Sequence, residues 1–201
     1  MTRTEIGASY DSRADEYIDL FGSVDQLSGA DRDLIAGWRA KVSGRILDAG
    51  CGPGQWSRFL AETGTGEVVG VDASSGFLSS ARARHRDLAL ARADLAALPL
   101  ADSSVGGVLA WYSIIHTPPA GLPSILSELA RVLTPGGSLL LGYFDGTPEE
   151  PFDHAVHTAY YWSAQALGDL LAEHGLVIGH AETRQDPGVR RRHGELIATL
   201  A

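Results

Sequence analysis

Cysteine is nearly missing from this 201-residue chain. Cys51 stands alone, so no intramolecular disulfide can form and no cysteine cluster can hold zinc or an iron–sulfur group. Long apolar runs are missing as well: the most apolar stretch, Leu139 to Phe144, falls far short of the roughly 20 residues of a membrane helix. Met1 to Tyr10 carries no apolar signal-peptide core, so a cytoplasmic location is expected and no membrane partner. Basic charge is the scarcer sign, with 16 Lys and Arg against 25 Asp and Glu and a net charge of −9. Such a field disfavours general duplex binding, whose affinity comes mostly from phosphate neutralisation, and no nucleic-acid partner is expected. Lys41 is the sole lysine against fifteen arginines, a bias that matches base composition and points to no particular function.

What is present suits one globular core. Hydrophobic residues make up 44% and charged residues 20%, and 201 residues suffice for a single domain. Residues 1–43 read as a helical cover: Tyr10, Ala14, Tyr17 and Ile18 share one face, and Leu34, Ile35 and Trp38 suggest a second helix. From Arg45 short apolar runs alternate with helix-length segments. Strands are expected at Ile46–Ala49, Val68–Asp72, Leu88–Ala91, Val105–Trp111 and Ser138–Phe144, with helices at Gln55–Thr63, through Phe77 to Ala81, and at Ile125–Leu133. Strands separated by helices imply right-handed crossovers and a parallel sheet covered on both faces. Pro135-Gly136-Gly137 reads as a helix stop and turn. A loop from Asp145 to Tyr160, a helix from Ala164 to His174, and an antiparallel hairpin of Leu176–Ile178 with Leu196–Ala198 complete the pattern. The expected organisation is one domain, with a 44–145 ligand-binding core and a 146–201 substrate-side segment.

Ligands of open parallel sheets bind beyond the carboxyl ends of the strands, so the loops there carry the chemistry. The first is Asp48-Ala49-Gly50-Cys51-Gly52-Pro53-Gly54. Its alternating glycines permit close backbone approach, and the following helix offers unpaired N–H groups to an anionic group such as a carboxylate. A dinucleotide fingerprint would place Gly or Ala where Gln55 stands, and a P-loop Lys-Ser/Thr pair is lacking. Asp72 ends the second strand, about the interval at which an acid meets ribose hydroxyls, and Ala73-Ser74-Ser75 behind it has no arginine for a 2′-phosphate. Asp94 follows the third strand, where a carboxylate can accept from an exocyclic amine. Three acids around an Arg-free glycine turn would repel a pyrophosphate and suit a cationic ligand.

Asp48 to Gly54, Val69-Gly70-Val71-Asp72, Ala93-Asp94-Leu95 with Leu98-Pro99-Leu100, and Arg131 to Gly137 resemble the class I S-adenosylmethionine-dependent methyltransferases, most closely their small-molecule branch. The similarity covers about Tyr10 to Phe144. It implies a Rossmann-like α/β sandwich: a mostly parallel seven-stranded sheet with an antiparallel last strand and helices on both faces. It also implies S-adenosyl-L-methionine as cofactor, with S-adenosyl-L-homocysteine as product. By this resemblance the loop from Asp48 to Gly54 holds the methionine moiety. Asp72, with Ala73, binds ribose. Asp94 and Leu95 bind adenine with Phe77 packed beside it, and Trp111 and Tyr112 border the sulfonium. Tyr10 and Tyr17 resemble an N-terminal lid over the cofactor carboxylate. One departure is Gly106, which stands where an acid usually precedes the fourth strand.

The acceptor side is less defined. The fourth strand runs into Trp111-Tyr112-Ser113-Ile114, unlike the Asn/Asp-Pro-Pro-Tyr/Phe of nucleobase amino-methylation, and Cys51 is misplaced for cytosine attack. His116 is the candidate general base, since imidazole titrates near working pH. It slightly favours O-methylation of a small molecule. His154 and His157 with Asp153, and Tyr161 with Trp162, are candidate substrate contacts, and no metal is expected. Arg190-Arg191-Arg192-His193 reads as a solvated turn. An RNA methyltransferase, a non-catalytic S-adenosylmethionine-binding module and a nicotinamide oxidoreductase stand as alternatives.

Overall fold

The structure is a computed structural model that describes residues 28–186 and 188–201. Helix α1 (Gly29–Arg39) precedes strand β1 (Ile46–Ala49), α2 (Gln55–Thr63), β2 (Val68–Asp72), α3 (Ser75–Arg84), β3 (Ala89–Arg92) and β4 (Val105–Trp111). Then follow α4 (Leu122–Val132), β5 (Leu133–Asp145), the short pair β6 (Pro151–Asp153) and β7 (Thr158–Tyr160), α5 (Ala164–Ala172), β8 (Leu176–Arg184) and β9 (Arg192–Leu200). Seven strands form one sheet in the order β3-β2-β1-β4-β5-β9-β8. Pairings from β3 to β5 are parallel, and β9 runs antiparallel to both its neighbours. This is the Rossmann-like sandwich expected from the sequence.

Strand alternation decides which helix each residue meets. Leu47, Val108, Ala110, Leu139 and Leu141 pack with Ile125, Leu129, Leu167 and Leu171 of α4 and α5. Their neighbours Ile46, Leu109 and Leu140 face the other way, onto Ile35 and Trp38 of α1 and Trp56 and Leu60 of α2. Arg39 is buried at this second interface. It donates to the carbonyls of Leu60 (3.1 Å), Val42 (3.2 Å) and Thr65, so one guanidinium satisfies the carbonyls of three segments. Burial lowers its pKa.

Three local expectations need correction. The third strand begins one residue later than expected, at Ala89. Pro135-Gly136-Gly137 is no simple turn: β5 starts at Leu133, and residues 134–137 bulge outward between the pairs Val105–Leu133 and Gly107–Ser138. Gly136 accommodates the bulge at φ 75°. Opposite it, the Gly106 N–H donates to Arg45 O at 2.8 Å, and a Cβ there would stand 1.8 Å from the Ser43 carbonyl oxygen. A side chain at position 106, acidic or not, would collide with that oxygen unless the backbone moved. Lastly, the loop after β5 contains the β6–β7 hairpin, whose register joins Phe152 to Ala159. Tyr160 N–H donates to Ile115 O (2.9 Å), which ties this hairpin to the segment after β4.

Candidate active site

From β1 the chain winds outward through β2 and β3, then returns to β4 on the other side of β1. The crevice at that reversal is where such sheets bind ligands. A cavity of about 670 Å³ lies there, lined by residues following β1, β2, β3, β4 and β5. Asp48, Asp72 and Asp94 all line it.

The glycine turn forms one wall. Gly50 and Cys51 donate to Val71 O at 2.8 and 2.9 Å, which folds the turn back over β2. Gly50 has φ 80°, and a Cβ there would lie 2.3 Å from Ser113 Cβ. Gly52, at φ 53°, donates its N–H to Asp72 Oδ2 (2.8 Å), while Asp72 Oδ1 accepts from Ser74 N–H (2.8 Å). The Asp72 carboxylate is therefore oriented at the strand tip by two backbone bonds. Ser74 in turn caps α3 by accepting from Phe77 N–H at 3.1 Å, which seats Phe77 in the cavity wall beside Ala73. Asp94 is exposed and accepts from Ala96 N–H at 2.9 Å, with Leu95 beside it in the lining.

Asp48 differs from the other two acids in its burial. Asp48 is buried and accepts from Ser57 Oγ at 2.6 Å. Burial first, then the neighbouring Asp72 charge, pushes its pKa up to about 7 against the hydrogen bond from Ser57. Near neutral pH it is partly protonated, unlike the full charge assumed from sequence. Cys51 is buried, and burial with the charges of Asp48 and Asp72 holds its thiol well above the ordinary range, so it stays a thiol.

Aromatic and imidazole rings close the opposite side. Trp111 packs edge-on against Trp56 and Tyr112, with centroids 6.4 and 5.3 Å away. Tyr112 lies in the left-handed region at φ 54°, a costly conformation for a large side chain. Its hydroxyl is hydrogen-bonded to His193 Nδ1 at 2.5 Å. His116 is buried, and its Nδ1 donates to Thr158 O (2.9 Å), which places the lone pair of the neutral ring on Nε2. Burial pushes its pKa down to about 4. The sequence expectation of an imidazole poised near neutrality is thereby corrected: the ring is neutral there. The His154 ring lies 5.0 Å from it and the His157 ring 6.2 Å.

Several expected residues lie elsewhere. Ala49 is fully buried within β1, and Gly54, at φ 86°, caps α2 against Ala81; neither lines the cavity. His157 stands behind His116, Tyr161 packs on Phe152 (4.2 Å), and Trp162 is a core residue, so these three also lie outside the lining. Tyr10 and Tyr17 fall outside the described residues. The arginine run is not a uniformly solvated turn. Arg190, Arg191 and His193 line the cavity, while Arg192 pairs with Asp145 at 3.3 Å.

Sequence reasoning missed Gln55, Ser113, Phe144 and the Asp31–Arg184 pair, all in the lining. Gln55 Oε1 and Ser113 Oγ are buried and lack a hydrogen-bond partner among the described residues. Gln55 was discoverable as the first helical residue after the glycine turn; nothing local marks the others. Among the described residues the one group spaced for a metal is His180, Glu182 and Glu195, on β8 and β9 away from the cavity. No helix among them is long and apolar enough to cross a membrane.

Comparison with known proteins agrees with this architecture. The profile of a family described as "Methyltransferase domain" matches residues 46–137. A demethylmenaquinone methyltransferase of Renibacterium salmoninarum is 30% identical over 172 residues, covering 78% of this chain and 70% of that protein. A malonyl-[acyl-carrier protein] O-methyltransferase of Enterobacter lignolyticus is 33% identical over 146 residues, 69% of this chain and 57% of the relative. The chain spans about half the length of that protein and of another curated relative it matches. The crystal structure of magnesium protoporphyrin IX methyltransferase from Synechocystis PCC 6803 superposes with a TM-score of 0.77 over 100% of both chains at 19% identity. With that fold, the strand-tip acids and the length of the Renibacterium match, the chain belongs to the class I S-adenosylmethionine-dependent methyltransferases.

Proposed function

We propose that this chain binds S-adenosylmethionine in the cavity and transfers its methyl group to a small-molecule acceptor, with an oxygen nucleophile favoured. The observation that carries the reading is one cavity with acidic strand tips on one side and a wall of neutral imidazoles and aromatic rings on the other. When bound, S-adenosylmethionine supplies a methyl group already activated by its sulfonium.

The residues present fit that molecule. Asp72, held by Gly52 and Ser74, is the ribose acceptor, and Asp94 and Leu95 with Phe77 form the adenine pocket. The partnerless Gln55 Oε1 and Ser113 Oγ sit by the glycine turn, where a polar amino-acid moiety has bonds to make. Asp48 gains full charge when a cation enters beside it. Trp111 and Tyr112 border the space between the two sides and exclude water from it.

His116 Nε2 is the atom that takes a proton or orients an acceptor hydroxyl, through the tautomer that Thr158 O imposes. A pKa of about 4 makes it a weak base, so it suits an acceptor whose hydroxyl is itself acidic. The remainder of the work is alignment of nucleophile and methyl group. The names of the curated relatives point to demethylmenaquinone and to a malonyl group on acyl-carrier protein, and the first of these supports a small-molecule acceptor.

Calorimetric titration with S-adenosylhomocysteine tests the reading. Binding is expected for the native chain, and Asp72→Ala should weaken it by roughly 2–3 kcal/mol through loss of a charged acceptor. Equal affinity of the two proteins would overturn the assignment.

A further inference from the structure

Among the described residues Arg184, Arg190 and Arg191 reach the cavity, and they are not equivalent. Arg184 is matched by Asp31, Asp186 and Glu195. Arg191 has no carboxylate partner among the described residues. Its Nη2 donates to the Asp153 carbonyl at 2.6 Å, and its guanidinium carbon stands 4.4 Å from the Phe152 ring centroid. A carbonyl and a ring face thus hold the guanidinium in place without neutralising it. Its Nε is buried and without a hydrogen-bond partner among the described residues. So is Nδ1 of His154, a ring whose basicity is lowered by burial and by Arg191 itself.

The space beside this cation is bounded by flat groups. Phe144 lies 5.9 Å from His154 and 5.6 Å from His193, and His116 lies 5.0 Å from His154. Thus the cavity joins acids at the strand tips to two arginines, Arg191 and the exposed Arg190, that have no carboxylate partner among the described residues, and only Arg191 is held against flat groups.

We infer that the far end of the cavity is a carboxylate subsite: it takes a planar, conjugated acid whose carboxylate is held by Arg191 and whose ring lies against Phe144 and the histidines. Repulsion from the strand-tip aspartates turns the carboxylate away from the donor, so a ring substituent, and not the carboxylate, faces the methyl group. Calling this acid the acceptor rests on the methyl-transfer reading; the anion subsite stands on its own residues.

The test is calorimetry of the full chain, with and without S-adenosylhomocysteine, using 2-naphthoate and its neutral isostere 2-naphthamide. The acid should bind at least tenfold more tightly than the amide. Arg191→Gln should bring the two within about twofold while leaving S-adenosylhomocysteine affinity unchanged. Arg191→Lys, which keeps the charge without the fork, should show an intermediate preference, and it carries the comparison if a thermal melt shows the glutamine variant unfolded. Arg192→Gln, altering an arginine outside the cavity, should retain the full preference. Equal binding of the two probes, binding of neither, or a preference that survives in Arg191→Gln would overturn the subsite. If the acid preference holds but S-adenosylhomocysteine fails to bind, the methyl-transfer reading falls and the subsite remains.

Discussion

Asp48 combines a buried position with a titration near neutral pH, and its sign can be followed through folding. Burial penalises its charged form, so between the ordinary carboxylate range and about 7 the folded chain binds more protons than the unfolded one. The group's contribution is therefore most favourable at low pH and is lost as pH rises through that window, by on the order of 4 kcal/mol in all. Urea unfolding should show native stability falling, relative to Asp48→Asn, between pH 5 and pH 8. Parallel profiles for the two proteins would contradict the raised pKa. Asp48 was recognisable in sequence as a strand-tip acid; its protonation was not, because that depends on burial and on the nearby Asp72. The same distinction applies to His116, whose position after β4 was readable and whose neutrality follows from packing.

Among the elements, β5 departs most from its sequence pattern. Pro135-Gly136-Gly137 carries every local mark of a turn, yet pairing with β4 on both sides absorbs it as a bulge. Two glycines there answer to different constraints. A Cβ at Gly136 meets nothing within 4 Å, so only its φ of 75° resists substitution. At Gly106 the obstacle is the Ser43 backbone. Gly136→Ala should then cost about 1 kcal/mol, and Gly106→Ala on the order of 2–3 kcal/mol because backbone must move. Denaturant midpoints at constant m-value will rank them, and equal losses would show that Ser43 yields freely. The helices α1, α2 and α4, by contrast, were legible, since their apolar spacing alone marks the face that each buries.

For the molecule as a whole, Arg184 links distant parts of the chain. From β8 it pairs with Asp31 of α1, with Asp186, and with Glu195 of β9 at 3.2 Å. Glu195 is buried, and burial already raises its pKa despite that arginine. Removing the cation leaves a buried carboxylate uncompensated, which costs about 3–5 kcal/mol. Arg184→Met should therefore lower stability most at pH 8 and progressively less as pH falls, because a raised Glu195 pKa favours the protonated form that needs no cation. A pH-independent loss would mean that packing, not charge, is what Arg184 contributes.

The amino-acid sequence by itself determined the layer order, the parallel core and the strand-tip acids, because those follow from periodicity and from turn chemistry confined to a few neighbouring residues. Only the tertiary structure decided that Arg191 and His193 border the cavity, that Trp162 leaves it for the core, and that Ser113 crowds Gly50. Each of those facts joins segments far apart along the chain. Such contacts exist only once the sheet has brought the segments together, so no local pattern encodes them.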